Sequence, residues 1–155
     1  LCQRVTAFAE KNCSSSVPDN KKFNDEDLVM LNKFTDNLDA IRTEIDNQNI
    51  NYYISFIVSA LFEANKYFND QEPWKKKDDN DRLNAIVYTS LEMIRKISFM
   101  LYPIIPHSIE KALKIFNLNP DDVNFESIAS HDNLKVGNDI NKIDILFKKI
   151  EKIND

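Results

Sequence analysis

The sequence predicts an all-α protein, and three observations carry that prediction. Glycine occurs once in 155 residues, at Gly137, whereas strand-rich folds need glycine at their tight turns. Apolar residues recur at intervals of three and four along most of the chain, the spacing of one helix face. Asparagine and aspartate stand just ahead of those periodic runs, where helix caps belong. The expected architecture is a bundle of about five helices with an irregular C-terminal segment.

Each element has its own signal. Val5, Phe8 and Ala9 make one face of a first helix over about 1–12. Ser14-Ser15-Ser16-Val17-Pro18-Asp19-Asn20 is a loop by its turn chemistry. Asn24 or Asp25 caps the second helix, with Glu26 and Asp27 favourable in its first turn. Leu28, Leu31, Phe34, Leu38, Ile41 and Ile45 then step by threes and fours, which predicts one helix over roughly 25–47. Asn49 or Asn51 starts a third helix, about 51–68, with Tyr53, Phe56, Ile57, Ala60, Leu61, Ala64 and Phe68 inward.

Residues 69–77 connect it to a fourth helix capped within Asp78-Asp79-Asn80-Asp81-Arg82. Leu83, Ile86, Val87, Ser90, Leu91, Ile94, Ile97, Ser98 and Leu101 give that helix its inner stripe, and Pro103 and Pro106 end it. A fifth helix is predicted over about 106–117, with Pro106 in its first turn. Beyond Asn119-Pro120 the pattern weakens. Phe125–Ala129 reads as a short helix, Leu134-Lys135-Val136 and Ile143–Leu146 as extended, and Phe147–Ile153 as a last helical turn or two.

Composition excludes several function classes. One glycine removes the phosphate-cradling loops, which need several in a short span. Cys2 and Cys13 form no C-x-x-C, His107 and His131 complete no zinc set, and the cysteines read as reduced packing residues. No Ser/His/Asp or Cys/His pairing is legible. His107 reads as a surface or capping residue, and Asp78-Asp79-Asn80-Asp81 as a cap rather than a cation site. No apolar run is long enough to span a membrane. The net charge of −5 counts against a general nucleic-acid binder. A single-stranded loop needs only a local positive rim, which Arg4, Lys11, Lys66 and Lys75-Lys76-Lys77 can supply.

The most informative stretch is Asn65 to Trp74. It holds the only tryptophan, directly after Pro73 and directly before the lysine run. An indole there is poorly placed for a core and well placed as a flat surface beside positive charge. An unpaired base needs both, a π-face worth about 1–3 kcal/mol and a cation near its phosphate. The alternative is a tryptophan that seals a helix–helix corner.

Ala64-Asn65-Lys66-Tyr67, followed by Asp70, Pro73 and Trp74, resembles the anticodon-binding domain of the methionyl-tRNA synthetases. Leu1-Cys2-Gln3-Arg4 is similar to the last four positions of the Asn-x-x-x-Arg that opens that domain, the asparagine falling just before Leu1. Ile145-Leu146-Phe147-Lys148-Lys149-Ile150-Glu151 is similar to its closing segment. The resemblance implies the helical fold of class I synthetase anticodon domains and recognition of a CAU anticodon. Trp74 would stack on the first anticodon base, a cytosine, and Arg4 would contact the same base. Asn65 would touch a base or hold the loop backbone, and Pro73 would fix the approach to Trp74. Lys11 and Lys75 would meet phosphates.

The resemblance also implies a parent methionine–tRNA ligase, cytoplasmic, that uses ATP and admits zinc. Its partners would be methionine tRNA and the catalytic domain of the same chain, with no DNA and no membrane. No catalytic residue is expected here, since neither a His-x-Gly-His nor a Lys-Met-Ser-Lys-Ser motif occurs. Residues 1–155 are expected to be one domain of a larger synthetase. Within it 1–117 would form the bundle, and 118–155 an extension that docks on the catalytic domain through Leu146-Phe147. Two alternatives stand beside this: the anticodon domain of another class I synthetase, and a helical protein-interaction module without RNA binding, which the acidic charge favours.

Overall fold

A computed structural model describes residues 1–19, 22–130 and 134–147. Seven α-helices occur among them: α1 Cys2–Asn12, α2 Asp25–Asn32, α3 Leu38–Asp46, α4 Ile50–Gln71, α5 Asn80–Leu101, α6 Pro106–Leu113 and α7 Phe125–Ala129. Among the described residues there is no strand, only an isolated antiparallel bridge between Ser16 and Asp139. The all-α expectation is met.

The caps explain where the helices begin. Asn24 and Asp27 form a reciprocal capping box at α2, with bonds of 3.0 and 2.9 Å. Asn49 accepts from the Tyr52 amide at 3.2 Å to start α4, and Asp79 accepts from the Arg82 amide at 3.1 Å to start α5. Pro106 occupies the first turn of α6.

One helix expected over 25–47 is two. α2 stops at Asn32, and a 3₁₀ turn over Thr35–Asn37 leads into α3. The Asn37 side-chain amide donates to the Lys33 carbonyl at 2.8 Å, the local side-chain bonding by which Asn competes with a continuous helix ladder. Leu28, placed in the inner stripe, is exposed, whereas Leu31, Phe34 and Ile41 are buried. The fifth predicted helix ends early: α6 gives way to a 3₁₀ turn over Lys114–Phe116, and Asn117 closes it in the left-handed region (φ 56°).

α5 is the axis of the fold. α1, α2, α4 and α6 all pack on it, and Ala85 to Met100 is buried without interruption. The stripe expected along α5 is correct, but the helix has no solvent face in that span. Its charged residues Glu92, Arg95 and Lys96 are therefore partnered inside the protein. Arg95 donates to both Glu92 carboxylate oxygens (2.8 and 2.6 Å) and to the Ser127 carbonyl (2.7 Å). Lys96 donates to the Leu31 carbonyl at 2.9 Å.

The C-terminal segment is irregular, as expected, but Leu134–Val136 and Ile143–Leu146 form no strand. Residues 137–141 are held by backbone bonds to Val17, Ser15 and Ile115. Ile145, Leu146 and Phe147 then line a groove of about 390 Å³ with Leu61, Ile97 and Leu101, and Arg4 and Asn65 stand on its rim. His131 and the turn expected after Phe147 lie outside the described residues.

Candidate nucleic-acid interface

α1 and α4 meet so that Arg4 crosses the C-terminal half of α4. The Arg4 Nη1 donates to Asn69 Oδ1 at 2.6 Å and Nη2 to Asn65 Oδ1 at 3.0 Å. Asn65 and Asn69 are one turn apart on one helix face, so the two amides grip both prongs of the guanidinium. Asn65 donates in turn to the Leu61 carbonyl at 3.1 Å. The expectation that Asn65 holds the loop backbone is corrected here: its bonds go to Arg4 and to its own helix.

Beneath the guanidinium lies Phe68, whose ring centroid is 5.7 Å from the Arg4 guanidinium carbon. Phe68 is only 2% exposed. Its ring meets Trp74 edge to face (6.3 Å, 68°) and Phe8 likewise (6.0 Å, 83°). Phe68 is thus the buried hub that sets Arg4 and Trp74 side by side.

Trp74 sits in the 3₁₀ turn Pro73–Lys75 and is 44% exposed. The turn is reached through Glu72, which ends α4 in the left-handed region (φ 45°). That position costs a non-glycine residue energy and persists only where the surroundings fix it. Pro73 is buried and sets the first residue of the turn. The Lys75 amide donates to the Glu72 carbonyl at 2.8 Å, and its ammonium pairs with the Glu72 carboxylate at 2.8 Å.

A buried network fixes the same turn from the other side. Asp27, fully buried, accepts from two Arg82 nitrogens and from the Tyr67 hydroxyl. Arg82 also donates to Gln71, whose amide donates to Glu26. The last turn of α4 is therefore tied to α2 and α5. Burial, and then the hydrogen bond to Asp27, push the Tyr67 phenol well above its ordinary range, so it stays a donor.

The remaining cations surround the cluster unevenly. Lys66 pairs with Asp70. Lys76 and Lys77 are exposed beside Trp74. Lys11 shares the Arg4 face of α1 but sits two turns away, about 10 Å along the axis. The structure therefore brings together Arg4, Asn65, Pro73, Trp74 and Lys75 and leaves Lys11 at the edge. Phe68, read only as an inward residue, and Asn69 were not singled out as site residues in the sequence; their roles show only where Arg4 of α1 meets α4.

The chemistry on offer is a π-face, fixed guanidinium and amide edges, and mobile cations. Among the described residues no group of three or more His, Cys, Asp or Glu could hold a metal ion. His107 is exposed at the start of α6. Cys2 and Cys13 are free thiols, and burial pushes Cys13 up to about 11, away from thiolate chemistry. None of the described helices is long and apolar enough to cross a membrane.

Comparison with known proteins follows the same line. The family described as the anticodon binding domain of methionyl tRNA ligase matches residues 17–155. A methionine–tRNA ligase of Brucella suis is 33% identical over 131 residues, covering 84% of this chain and 25% of the relative. One from Rickettsia conorii is 31% identical, covering 97% of this chain and 30% of that protein. Among solved structures, free Mycobacterium tuberculosis methionyl-tRNA synthetase superposes with a TM-score of 0.89 at 25% identity, over 97% of this chain and 31% of its own. The same enzyme with methionyl-adenylate gives 0.87. The chain thus spans between a quarter and a third of the length of these relatives.

Proposed function

Because this chain belongs to the family of methionyl-tRNA ligase anticodon-binding domains, we propose that it reads the CAU anticodon loop of methionine tRNA through Trp74 and Arg4. The observation that carries this reading is the shared hub. Phe68 holds an exposed indole and an amide-gripped guanidinium at one place. Trp74 offers the stacking face for the first anticodon base. Arg4 offers hydrogen-bond donors to its edge, pre-oriented by Asn65 and Asn69, which lowers the ordering cost of binding. Pro73 sets the angle of the indole. Lys75 trades its exposed Glu72 pair, worth little in water, for a phosphate. Lys11 serves a phosphate farther along the strand.

In the parent enzyme this recognition serves ATP-dependent charging of methionine tRNA in the cytoplasm. The chemistry resides in a catalytic domain of the same chain. Residues 118–155 form the extension through which the domain docks there, and Ile145 to Phe147 carry the apolar surface for it.

The test is a titration of the chain with a stem-loop bearing CAU, beside one changed only in the first anticodon base. It is followed by Trp74 fluorescence in the wild-type chain and by calorimetry in both the wild-type chain and Trp74→Ala, which has no tryptophan left. Stacking quenches the indole, the CAU loop binds more tightly, and Trp74→Ala abolishes the preference. Equal affinity for both loops, unaffected by Trp74→Ala, would refute the reading.

A further inference from the structure

The site described above has one stacking face, yet a splayed loop presents more than one unpaired base. The described surface holds a second exposed aromatic ring at the same place. Phe62 is 70% exposed. On α4 it precedes Asn65 by three residues and Asn69 by seven. At 100° per residue those three positions fall within about 60° of one another, so Phe62 shares the face from which Asn65 and Asn69 hold Arg4. Trp74 lies at the other end of that face, beyond Asn69.

Among the described residues Phe62 meets no other ring, unlike Phe56 and Phe68 one face round. Its neighbours suit RNA: Lys66 lies one turn on, and its pair with Asp70 is exposed (75% and 54%) and readily exchanged for a phosphate. An exposed ring, next to hydrogen-bonding amides and a cation, is the set of groups that single-strand recognition uses.

We propose that Phe62 is a second stacking platform, taking an anticodon-loop base next to the one that Trp74 takes. This rests on the anticodon reading of the same face. The two platforms bracket the Arg4–Asn65–Asn69 cluster, so neighbouring bases turn outward and present their edges to it.

The experiment uses CAU stem-loops, intact or abasic at the second or the third anticodon position, with the wild-type chain and Phe62→Ala, Phe62→Leu and Phe62→Trp. Phe62→Ala lowers affinity for the intact loop by about 5- to 150-fold, the worth of one base–aromatic stack. Leucine keeps the apolar surface without the π-face and behaves like alanine, while tryptophan restores binding. With one of the abasic loops the alanine penalty disappears, because there is no base left to stack. Wild-type affinity in Phe62→Leu, or an equal alanine penalty on every loop, overturns the proposal. If Trp74→Ala abolishes the CAU preference while Phe62→Ala changes nothing, the anticodon reading stands and this one falls. If the wild-type chain does not distinguish CAU, both fall.

Discussion

Replacing Asp27 with alanine tests whether the turn that carries Trp74 is fixed from behind. Asp27 is fully buried, caps α2 through the Asn24 amide, accepts from two Arg82 nitrogens and accepts from the Tyr67 hydroxyl. The substitution removes all four bonds and leaves a guanidinium, 16% exposed, without its counter-charge. Breaking a buried pair from one side costs about 3–5 kcal/mol. The lost cap would add about 0.5–2 kcal/mol if it were independent, but the bonds share one carboxylate and do not add. Arg82 can swing partly to water, which argues for the lower end, about 3 kcal/mol. Against a typical total of 5–15 kcal/mol that is a large fraction. For a chain of this size each kcal/mol moves Tm by about 2–4 °C, so a drop of roughly 6–12 °C is expected. Urea unfolding and a thermal scan give the number. Asp27→Leu combined with Arg82→Met removes both charges and should recover part of it. A loss below 1 kcal/mol for Asp27→Ala, or no recovery in the double variant, would refute the claim that an unpaired Arg82 is what the network guards against.

Two further outcomes are expected. Phe68→Ala, at 2% exposure, costs about 3–5 kcal/mol as a core truncation, and it also weakens binding to the CAU stem-loop, because Arg4 and Trp74 lose the ring between them. Paired urea and RNA titrations read both, and a destabilised protein with unchanged RNA affinity would deny Phe68 its role as hub. Burial holds the Lys96 ammonium down to about 8 from an ordinary 10.5. Between those values the unfolded chain binds more protons than the folded one, so this residue's contribution to stability rises with pH there. Cys13, raised by burial from 9.0 to about 11, pulls the other way above pH 9. The rise is therefore read between pH 8 and 9, as the difference from Lys96→Met, whose profile lacks it.

What the sequence discloses is what a single helix decides alone. Asn24, Asn49 and Asp79 cap the helices they precede, and Pro106 opens α6, because these are contacts within four residues. The break between α2 and α3 is hidden because the 3₁₀ turn keeps right-handed dihedrals, with Phe34 at φ −78°, ψ −42°. The apolar spacing therefore runs through the break undisturbed. α5 shows an inner stripe in the sequence, yet four helices surround it, and periodicity along one helix cannot count its neighbours. Glu92, Arg95 and Lys96 lie off that stripe and prove to be a buried polar core. At the site, Trp74 stands out by its place between a proline and a lysine run. Phe68 and Asn69 do not, because their roles depend on Arg4 arriving from α1, more than sixty residues away.

The same geometry answers the objection that a chain of net charge −5 should not approach RNA. The buried pairs Asp27–Arg82 and Glu92–Arg95 each cancel and leave that balance to the surface. Part of it is gathered in a groove of about 360 Å³ between α2 and α4, where Asp25, Glu26, Glu63 and Asp70 lie with Lys66. On α4, Glu63 and Asp70 are turned at least a quarter of a revolution from Asn65 and Asn69. A helix with its side chains is about 10–12 Å across, and charges are screened over about 8–10 Å in ordinary salt. Phosphates held beside Arg4 and Trp74 are thus largely shielded from that groove, whereas a strand laid across α2 would run directly over it. On the proposed anticodon reading the acidic groove is a boundary: it leaves the α1 side, with Arg4 and Lys11, as the approach open to an anionic loop, with Lys66 at the edge of the groove.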